Sequence, residues 1–557
     1  MASHDTITVT DYLLRRLESL GVRHIFGVPG DYNLKLLDTV IAHPGIEWVG
    51  TANELGAAYA VDGYARMTGF GALVTTFGVG ELSAINGVAG SFAERVPMVH
   101  LAVGPAQEME RSGAILHHTT GDGDYERFAR AHEQITCAQA VLRPGTAGAE
   151  IDRVLATALR ESRPAYLRLP ADVAAERIPA PTAPLPLPGA ADVNPDSLAA
   201  FLDAAEQAVA EANSTAVLAD FLADRFHART ELSEFLAASG FPVATLSTGK
   251  TVVDEQNPQF VGVYSGQFSD PRTRAAIDEA GLLIRVGVLL ADTTSGGFSQ
   301  GFDPEAGIDL GPYSAAVDGK RFDGVPMAAA LAGLTQRLGT VPAPQRVPAS
   351  PAPNAERGDD DPLTQNYLWD AVAAAVRPWN TVVAEQGTSF FGIATRHLPT
   401  GTRFIGQPLW GSIGYTLPAL LGAQIADPAR RGVLLIGDGS AQLTIQELGT
   451  IARHGLTPVI ILVNNDGYTV ERAIHGKRAV YNDIAPWNWS AIPGALGASN
   501  ALVLHARTAA ELDHALAEAA LATDRLVFLE VVTDIDDTPA LLTGFAEGVG
   551  ARNGSES

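Results

Sequence analysis

The stretch GVLLIGDGSAQLTIQELGTIARHGLTPVIILVNNDGYTVE, residues 432–471, constrains the fold more than any other part of the chain. It predicts a strand, a tight glycine turn, a helix, a second strand and a loop. Asp438 stands between Gly437 and Gly439 at the end of the first strand, and Asn465 follows the second. Parallel strands joined by a helix present their carboxyl ends at one sheet edge, where open α/β sheets bind ligands. We therefore expect Asp438 and Asn465 to lie on neighbouring strand ends.

Three oxygen ligands are expected at this edge. The Asp438 carboxylate, the Asn465 amide oxygen and the Gly467 carbonyl would form a hard oxygen site, which suits Mg²⁺ and commonly brings a diphosphate with it. The helix N-terminus near Ser440 would face the phosphates. A dinucleotide fingerprint is disfavoured because Gln442 stands where GxGxxG requires its third glycine. GDGS alone would fit a plain strand–turn–helix equally well, but the paired asparagines at this distance favour the metal site.

The alternation of strand-like and helix-like segments extends over the whole chain. Apolar runs such as ALVTTFG (72–78), LLIRVGVLL (282–290) and TVVAEQG (381–387) alternate with helix-like segments, which predicts α/β domains with mostly parallel sheets. Two segments rich in Pro and Ala have the composition of semi-extended connectors. They predict three domains, 1–178, 190–340 and 358–548, joined by linkers 179–189 and 341–357.

The composition excludes some partners. The 557 residues carry a net charge of −25, which argues against nucleic acid and anionic membrane surfaces. The single cysteine, Cys137, allows no intrachain disulfide, so a reducing cytoplasm is the expected location and a buried structural thiol the expected role. The N-terminal MASHDTITVT lacks a signal-peptide pattern, and no apolar run approaches about 18 residues, so no membrane span is expected.

A series of motifs runs through the first and third predicted domains. They are IFGVPGDYNLKLLD, ANELGAAYAVDGYAR, TTFGVGELSAINGVAGSFAE, ILHHTTGDGDYERF, AEQGTSFFG, GQPLWGSIGY, GDGS and NNDGYTVERAIHG. Together they resemble the 2-keto-acid decarboxylase branch of thiamine-diphosphate enzymes, most closely the branched-chain decarboxylases. The resemblance implies a pyrimidine-binding, a central and a diphosphate-binding domain, with thiamine diphosphate and Mg²⁺ as cofactors. The implied reaction converts a 2-keto acid to an aldehyde and CO₂, with the cofactor as electron sink.

The resemblance also implies the catalytic residues. Glu54 would hydrogen-bond the cofactor's pyrimidine ring and promote deprotonation of the thiazolium; from its position alone it would be a surface glutamate at a helix start. Asp31, His117, His118 and Glu471 match the acid–base set of the branch, and the imidazoles could transfer protons near neutral pH. Adjacent histidines rarely bind one metal ion, so zinc is not expected there. The residue that protonates the product is left open.

Further positions are implied to contact the cofactor. Ile413 would support its bent conformation, and Gly387 and Gly411 would let the backbone approach its rings. The full implied set is Glu54, Gly387, Thr388, Gly411, Ile413, Gly437, Asp438, Gly439, Ser440, Asn465 and Gly467. The family binds its cofactor between the first domain of one subunit and the third of another, which implies a homodimer that pairs into a homotetramer. The small residues of 51–69 would pack against the partner subunit.

Specificity is expected from a pocket in the second and third domains. Thr293 falls where pyruvate-preferring relatives carry a bulky aromatic residue, so longer substrates would fit. Segment 537–549 is expected to close the site as an amphipathic helix, with Phe545 and Val549 on one face. The other implied walls are Gln386, Phe390, Phe391 and Val470. The expected substrates are branched, aliphatic and aromatic 2-keto acids, with pyruvate poorer.

Other functions stay open on the sequence. A pyruvate, indolepyruvate or phenylpyruvate decarboxylase would share the same motifs. An acetolactate-synthase-like carboligase is disfavoured by the pair His117–His118 and by the context of Glu471. A nicotinamide oxidoreductase is disfavoured by the missing glycine, and a catalytically silent binding protein by the complete set of polar positions.

Overall fold

The computed structural model describes residues 6–189, 192–338 and 361–552, with side chains as far as residue 548. Within these residues the strands form three large sheets and a two-stranded ribbon. The chain divides into two compact units. The first contains the chain up to Pro188 together with 414–430 and 444–456, and the second contains the remainder. The predicted linker 341–357 lies outside the described residues.

The first unit is built on a parallel sheet. Its strands are β1 (Thr6–Thr8), β2 (His24–Gly27), β3 (Glu47–Gly50), β4 (Gly71–Thr76), β5 (Met98–Gly104), β6 (Gln139–Val141), β7 (Ala165–Pro170) and β8 (Arg177–Pro179). Its first helices are α1 (Val9–Ser19), α2 (Leu34–Ala42), α3 (Glu54–Thr68), α4 (Val79–Ala93), α5 (Gln107–Ser112), α6 (Arg127–His132) and α7 (Ala147–Glu161). The sheet order is β3-β2-β4-β5-β7-β6, and β1 pairs antiparallel with β8. Strands β4 and β5 are buried along their whole length, as expected for strands covered on both faces.

The second unit contains the other two large sheets. The elements of the first of these are α8 (Pro195–Glu211), β9 (Thr215–Ala219), α9 (Leu222–Arg225), α10 (Arg229–Ser239), β10 (Val243–Thr245), β11 (Phe260–Val263), α11 (Pro271–Asp278), β12 (Leu282–Val286), β13 (Ile308–Leu310), β14 (Ser314–Val317), β15 (Lys320–Asp323) and α12 (Met327–Leu338). The sheet order is β11-β10-β9-β12-β13-β14-β15. Its pairs are parallel as far as β13, and the last two pairs are antiparallel.

The remaining elements follow in chain order. They are α13 (Gln365–Ala375), β16 (Thr381–Ala384), α14 (Thr388–Ala394), β17 (Arg403–Ile405), α15 (Thr416–Ala426), β18 (Gly432–Gly437), α16 (Asp438–Thr444), α17 (Glu447–Arg453), β19 (Val459–Asn464), α18 (Thr469–Ile474), α19 (Ile492–Ala495), β20 (Leu502–Ala506), α20 (Ala509–Leu521), β21 (Val527–Val532) and α21 (Ala540–Arg552). The third sheet is parallel throughout, in the order β17-β16-β18-β19-β21-β20. Helices α15 and α17 belong to the first unit.

The fold class predicted from the sequence is confirmed. Each of the three predicted domains contains one large, mostly parallel sheet with helices between its strands. The run LLIRVGVLL forms β12 only as far as Val286, because Gly287 (φ 62°) turns the chain. The exact domain limits stay predictions. No helix among the described residues combines the length and apolar character needed to cross a bilayer.

The small residues of α3 have a different role from the one expected. A Cβ atom on Gly63 would lie 2.1 Å from the carbonyl oxygen of Ala419 in α15, and one on Gly422 would lie 1.7 Å from that of Ala60. Because glycine lacks a Cβ, the two helix backbones can touch at these points. This face of α3 therefore packs against α15 of the same chain, which corrects the expectation that the small residues face a partner subunit.

Candidate active site

Glu54 lies in the first turn of α3. The Asn53 side chain caps this helix by accepting the Gly56 N–H at 2.6 Å, which fixes where the helix begins. The Glu54 side chain is half-buried, and within the described residues its carboxylate has no hydrogen-bond partner. Its Oε1 atom lies 3.1 Å from the position that a Cβ on Gly80 would occupy. The carboxylate is thus held at a surface with its oxygen atoms available to a ligand.

Asp31 and the two histidines form one cluster in the first unit. His117 Nε2 lies 2.8 Å from Asp31 Oδ2, and the His117 ring stacks on Tyr32 with ring centroids 5.0 Å apart. His118 has a left-handed backbone (φ 65°), and its Nδ1 atom is buried without a partner among the described residues. One ligand atom from each of Asp31, His117 and His118 falls within 4.8 Å of the others. A carboxylate and two imidazoles this close together can exchange protons with a bound molecule.

Asp438 and Asn465 lie at neighbouring strand ends, as their spacing predicts. Strands β18 and β19 are parallel, with Gly437 opposite Val463. The Asp438 side chain is buried, and its oxygen atoms accept the N–H groups of Gly439 at 2.8 Å and Gly467 at 3.1 Å. Burial raises the pKa of Asp438 to about 6 despite these two hydrogen bonds. A cation beside the carboxylate would favour its charged form.

Three polar groups converge at this point. The Asn465 amide nitrogen donates to the Gly467 carbonyl oxygen at 3.0 Å and to Asp438 Oδ1 at 3.2 Å, and the amide oxygen accepts the Thr469 hydroxyl at 3.1 Å. Rotation of this amide by 180° would turn its oxygen toward the Asp438 carboxylate and the Gly467 carbonyl, and a cation bound there would favour that orientation. Mg²⁺ prefers carboxylate, amide and carbonyl oxygens, so the residues present fit this ion.

Two glycines allow the loops around these oxygens to close. A Cβ on Gly467 (φ 122°) would lie 2.2 Å from the Asn482 carbonyl oxygen, and one on Gly439 would lie 2.5 Å from the Tyr468 ring. Any larger residue at either position would displace the loop that carries the Gly467 carbonyl. Next to them, the Cβ position of Gly437 faces open space, and Ser440 is buried in α16.

The implied ring-binding positions lie around β16 and the loop that precedes α15. Gly387 (φ 135°) precedes α14, and its Cβ position is 3.5 Å from the Val470 side chain of α18. Thr388 is buried in the first turn of α14. Gly411 (φ 67°) donates its N–H to the Gln407 carbonyl at 2.8 Å, and its Cβ position faces open space. Ile413 is only half-buried, which leaves part of its side chain free for contact with a ligand.

Several of the residues predicted to line the substrate pocket contact one another or a common neighbour. The rings of Phe391 and Phe545 stack with centroids 5.2 Å apart, so the predicted C-terminal helix α21 does pack against α14. Phe390 is buried between Phe391 and Phe404. The Gln386 Oε1 and Thr293 Oγ1 atoms are buried without partners among the described residues. The side chain of Val549 lies outside the described residues.

Comparison with known proteins identifies the family. Residues 7–126 match the N-terminal TPP binding domain of thiamine pyrophosphate enzymes, residues 202–338 the central domain, and residues 387–531 the C-terminal TPP binding domain. The chain is 53% identical over 544 residues to the alpha-keto-acid decarboxylase of Mycobacterium tuberculosis, covering 97% of each chain. It is 52% identical to the Mycolicibacterium paratuberculosis and Mycobacterium ulcerans alpha-keto-acid decarboxylases, over 97% of this chain and 96% of each relative. The chain belongs to the thiamine-pyrophosphate-dependent alpha-keto-acid decarboxylases.

One residue of this decarboxylase that the sequence reasoning missed is Phe268. A Cβ on Gly544 of α21 would lie 2.3 Å from its ring, and one on Gly296, three residues after Thr293, would lie 3.1 Å from it. Phe268 therefore connects the loop that carries Thr293 to the helix that carries Phe545. No motif marks it, because it stands alone in a polar turn between β11 and α11.

Glu471 is the other predicted residue in this part of the decarboxylase. It is exposed in the first turn of α18, next to Val470, and its side chain has no hydrogen-bond partner within the described residues. Its neighbour Arg472 is buried and fixes the turn by donating to the Asp466 carbonyl and to Asp483. The exposed glutamate is therefore carried by an ordered helix start.

Proposed function

We propose that this protein converts 2-keto acids to aldehydes and CO₂ with thiamine diphosphate and Mg²⁺ as cofactors. The observation that carries the proposal is the convergence of the Asp438 carboxylate, the Asn465 amide and the Gly467 carbonyl at one sheet edge. Such a set binds Mg²⁺, which in turn holds a diphosphate. When bound, thiamine diphosphate supplies the electron sink that the loss of CO₂ requires.

The residues of the first unit have separate tasks in this proposal. Glu54, whose carboxylate has no hydrogen-bond partner in the part of the chain that the structure describes, would hydrogen-bond the pyrimidine ring of the cofactor. Asp31 holds the His117 ring by the bond to Nε2, and this imidazole would exchange protons with the substrate. His118 and Glu471 complete the proposed acid–base set, and Gly387, Thr388, Gly411 and Ile413 the proposed ring-binding set.

The substrate range we propose is branched, aliphatic and aromatic 2-keto acids, with pyruvate poorer. Thr293 has a small side chain, which leaves room for a longer substrate in the pocket lined by Gln386, Phe391, Val470 and Phe545. A pocket of this kind discriminates by only about 1–3 kcal/mol per methylene, so the range should be broad. The alternative is an enzyme that prefers pyruvate, indolepyruvate or phenylpyruvate.

We further propose a homodimer that pairs into a homotetramer. The side chains of Asp31 and His117 are 52% and 58% exposed, more than a site that must exclude water would allow. Beside Glu54, Val79 is 53% and Leu82 41% exposed, and in the second unit Val480 is 82% exposed. Val79 and Leu82 lie one turn apart on α4, and adjacent exposed apolar side chains are typical of protein interfaces.

A cytoplasmic location is part of the proposal. The single cysteine, Cys137, can form no intrachain disulfide, and burial raises the pKa of its thiol to about 11. A thiol of this kind is inert and requires no oxidising compartment.

A substrate panel tests the proposal directly. The purified chain with thiamine diphosphate and Mg²⁺ should release aldehyde from 3-methyl-2-oxobutanoate and phenylpyruvate with a higher kcat/KM than from pyruvate. Omitting Mg²⁺ in the presence of a chelator should abolish the release. A higher kcat/KM for pyruvate would contradict the substrate range, and accumulation of acetolactate in place of aldehyde would contradict the reaction itself.

A further inference from the structure

The junction between β4 and α4, residues 76–80, touches two groups of the proposed site. A Cβ on Gly78 would lie 1.9 Å from the carbonyl oxygen of His118, and one on Gly80 would lie 3.1 Å from Glu54 Oε1. These distances mean that the junction backbone lies directly against both residues. Its conformation therefore sets the distance between the histidine pair and the carboxylate.

The same junction also lies against the turn that carries Asp31. The Thr76 Cβ atom lies 2.6 Å from the position of a Cβ on Gly30, the residue before Asp31. A shift of the junction would thus be transmitted to the turn that carries Asp31 as well.

Glu81 holds this junction in place. Its side chain is completely buried; Oε1 accepts the Gly78 N–H at 2.8 Å, and Oε2 accepts the Tyr166 hydroxyl of β7 at 2.7 Å. Gly78 has an unusual backbone conformation (φ 69°, ψ −96°) that brings its Cα against His118. A buried N–H in such a turn needs an acceptor, and Glu81 supplies it.

We propose that Glu81 is a positioning residue for the decarboxylation: by tying Gly78 to Tyr166, it fixes the spacing of His118 and Glu54. The proposal rests on the proposed function, since it assigns Glu81 to the geometry of that site. Glu81 touches neither substrate nor cofactor in this scheme and acts through the junction alone.

The charged and titratable groups around Glu81 are compatible with this role. His132 of α6 lies 3.9 Å from Oε2, but its Nδ1–H donates to the Phe128 carbonyl at 2.8 Å, and burial lowers the pKa of both His132 and its neighbour His100. Arg168 of β7 pairs with Glu110 and Glu126. Burial raises the pKa of Glu81 to about 7. Both the carboxylate and the carboxylic acid can accept the two hydrogen bonds, so the role does not depend on the charge.

The test compares three variants in the full-length chain. Glu81→Ala removes both hydrogen bonds, whereas Glu81→Gln keeps an acceptor for Gly78 and a partner for Tyr166. The control is Asp152→Ala in α7, which removes a carboxylate–tyrosine bond in the same unit (Tyr12 hydroxyl to Asp152 Oδ2, 2.9 Å) together with the ion pair between Asp152 and Arg16.

The first readout needs no activity. Hydrogen–deuterium exchange followed by mass spectrometry should show faster exchange of segments 76–82 and 114–120 in Glu81→Ala, and wild-type exchange of both segments in Glu81→Gln and Asp152→Ala. Unchanged exchange of 114–120 in Glu81→Ala would overturn the proposal, whatever reaction the protein catalyses.

The second readout is the kinetics of aldehyde release. Glu81→Ala should lower kcat by about 10-fold or more, since a displacement of about 1 Å can cost as much as ~100-fold, while Glu81→Gln and Asp152→Ala stay within about 3-fold of wild type. A Glu81→Gln variant as slow as Glu81→Ala would contradict a role through hydrogen bonds. If the wild type releases no aldehyde, the proposed function fails, while the exchange result still decides the link from Glu81 to His118.

Discussion

His117 Nε2 lies 2.8 Å from Asp31 Oδ2, a bond that joins two loops separated by 86 positions in the chain. The bond leaves His117 Nδ1 as the ring nitrogen available for another partner. It also fixes the orientation of the imidazole, which further stacks on Tyr32. An exposed histidine held this way is suited to exchange protons with a bound substrate.

Asp31→Asn should lower kcat for aldehyde release by about 100-fold or more, since an oriented general acid–base group contributes ~10²–10⁴-fold. The matched control is Asp122→Asn, which weakens an exposed ion pair with Arg127 and should retain wild-type kcat. Equal rates for Asp31→Asn and the wild type in a coupled aldehyde assay would remove Asp31 from the acid–base set.

Glu54→Gln should leave the fold intact and largely stop deprotonation of the bound cofactor. The expected result is a loss of C2–H/D exchange measured by NMR after acid quench, because an amide cannot replace the carboxyl group beside the pyrimidine. Glu47→Gln, at an exposed carboxylate of β3, is the control that should exchange normally. Near-normal exchange in Glu54→Gln would show that Glu54 is a surface residue with no part in deprotonation of the cofactor.

Thr293→Phe should shift the substrate preference toward pyruvate. A bulky ring in the pocket should lower kcat/KM for 3-methyl-2-oxobutanoate and phenylpyruvate by about 10- to 100-fold relative to that for pyruvate, in line with ~1–3 kcal/mol for a steric mismatch. The ratio of kcat/KM for a longer substrate to kcat/KM for pyruvate needs no separate control variant, because a loss of active enzyme lowers both values by the same factor. An unchanged ratio would place Thr293 outside the pocket.

Leu82→Asp should weaken the proposed dimer and abolish activity together with it. Leu82 is 41% exposed two residues after Gly80, and a buried charge at an interface disfavours association. Leu521→Asp makes the same change at a residue that is 84% exposed in α20 and should remain associated and active. Analytical ultracentrifugation with a parallel assay checks this, and an active monomer would refute the obligate dimer.

Glu81→Gln should change how stability depends on pH. Burial raises the pKa of Glu81 from 4.5 to about 7 in the folded chain. The folded state therefore binds the Glu81 proton more tightly than the unfolded state does. This tighter binding adds to the free energy of unfolding in full below about pH 4.5, and the contribution is lost as the pH rises through about 7.

Melting curves between pH 5 and 8 measure this effect. Wild type and Glu81→Gln should melt at similar temperatures at pH 5, and the variant should become the more stable one as the pH rises. A difference in melting temperature that stays constant over this range would contradict the raised pKa.

The sequence predicts most of what depends on local pattern. The strand ends at Asp438 and Asn465 follow from two apolar runs and the spacing between them, and β18 and β19 are indeed neighbours. The helix that begins at Glu54 follows from the run of small residues after it. Each of these features depends on residues within one supersecondary unit, so it can be predicted without knowing which distant segments of the chain are in contact.

Contacts between distant segments could not be predicted in this way. Phe268 joins the loop after Ala291 to α21 through glycines that give no hydrophobic pattern. The role of Glu81 depends on Tyr166, which lies 85 positions away. The packing partner of α3 could not be predicted for the same reason: small residues indicate close packing but do not identify which helix they pack against.

The close packing of α3 on α15 has a consequence for synthesis of the chain. The ribosome completes Glu54–Thr68 long before it reaches Thr416–Ala426, yet the two helices share a face without room for a single added methyl group at Gly63 or Gly422. Until α15 emerges, the nascent first unit has an uncovered strip of alanine and glycine backbone. A fragment that stops at Pro188 would keep that strip exposed permanently, so the first unit can mature only after its last segment, which ends at residue 456 of 557, has been translated.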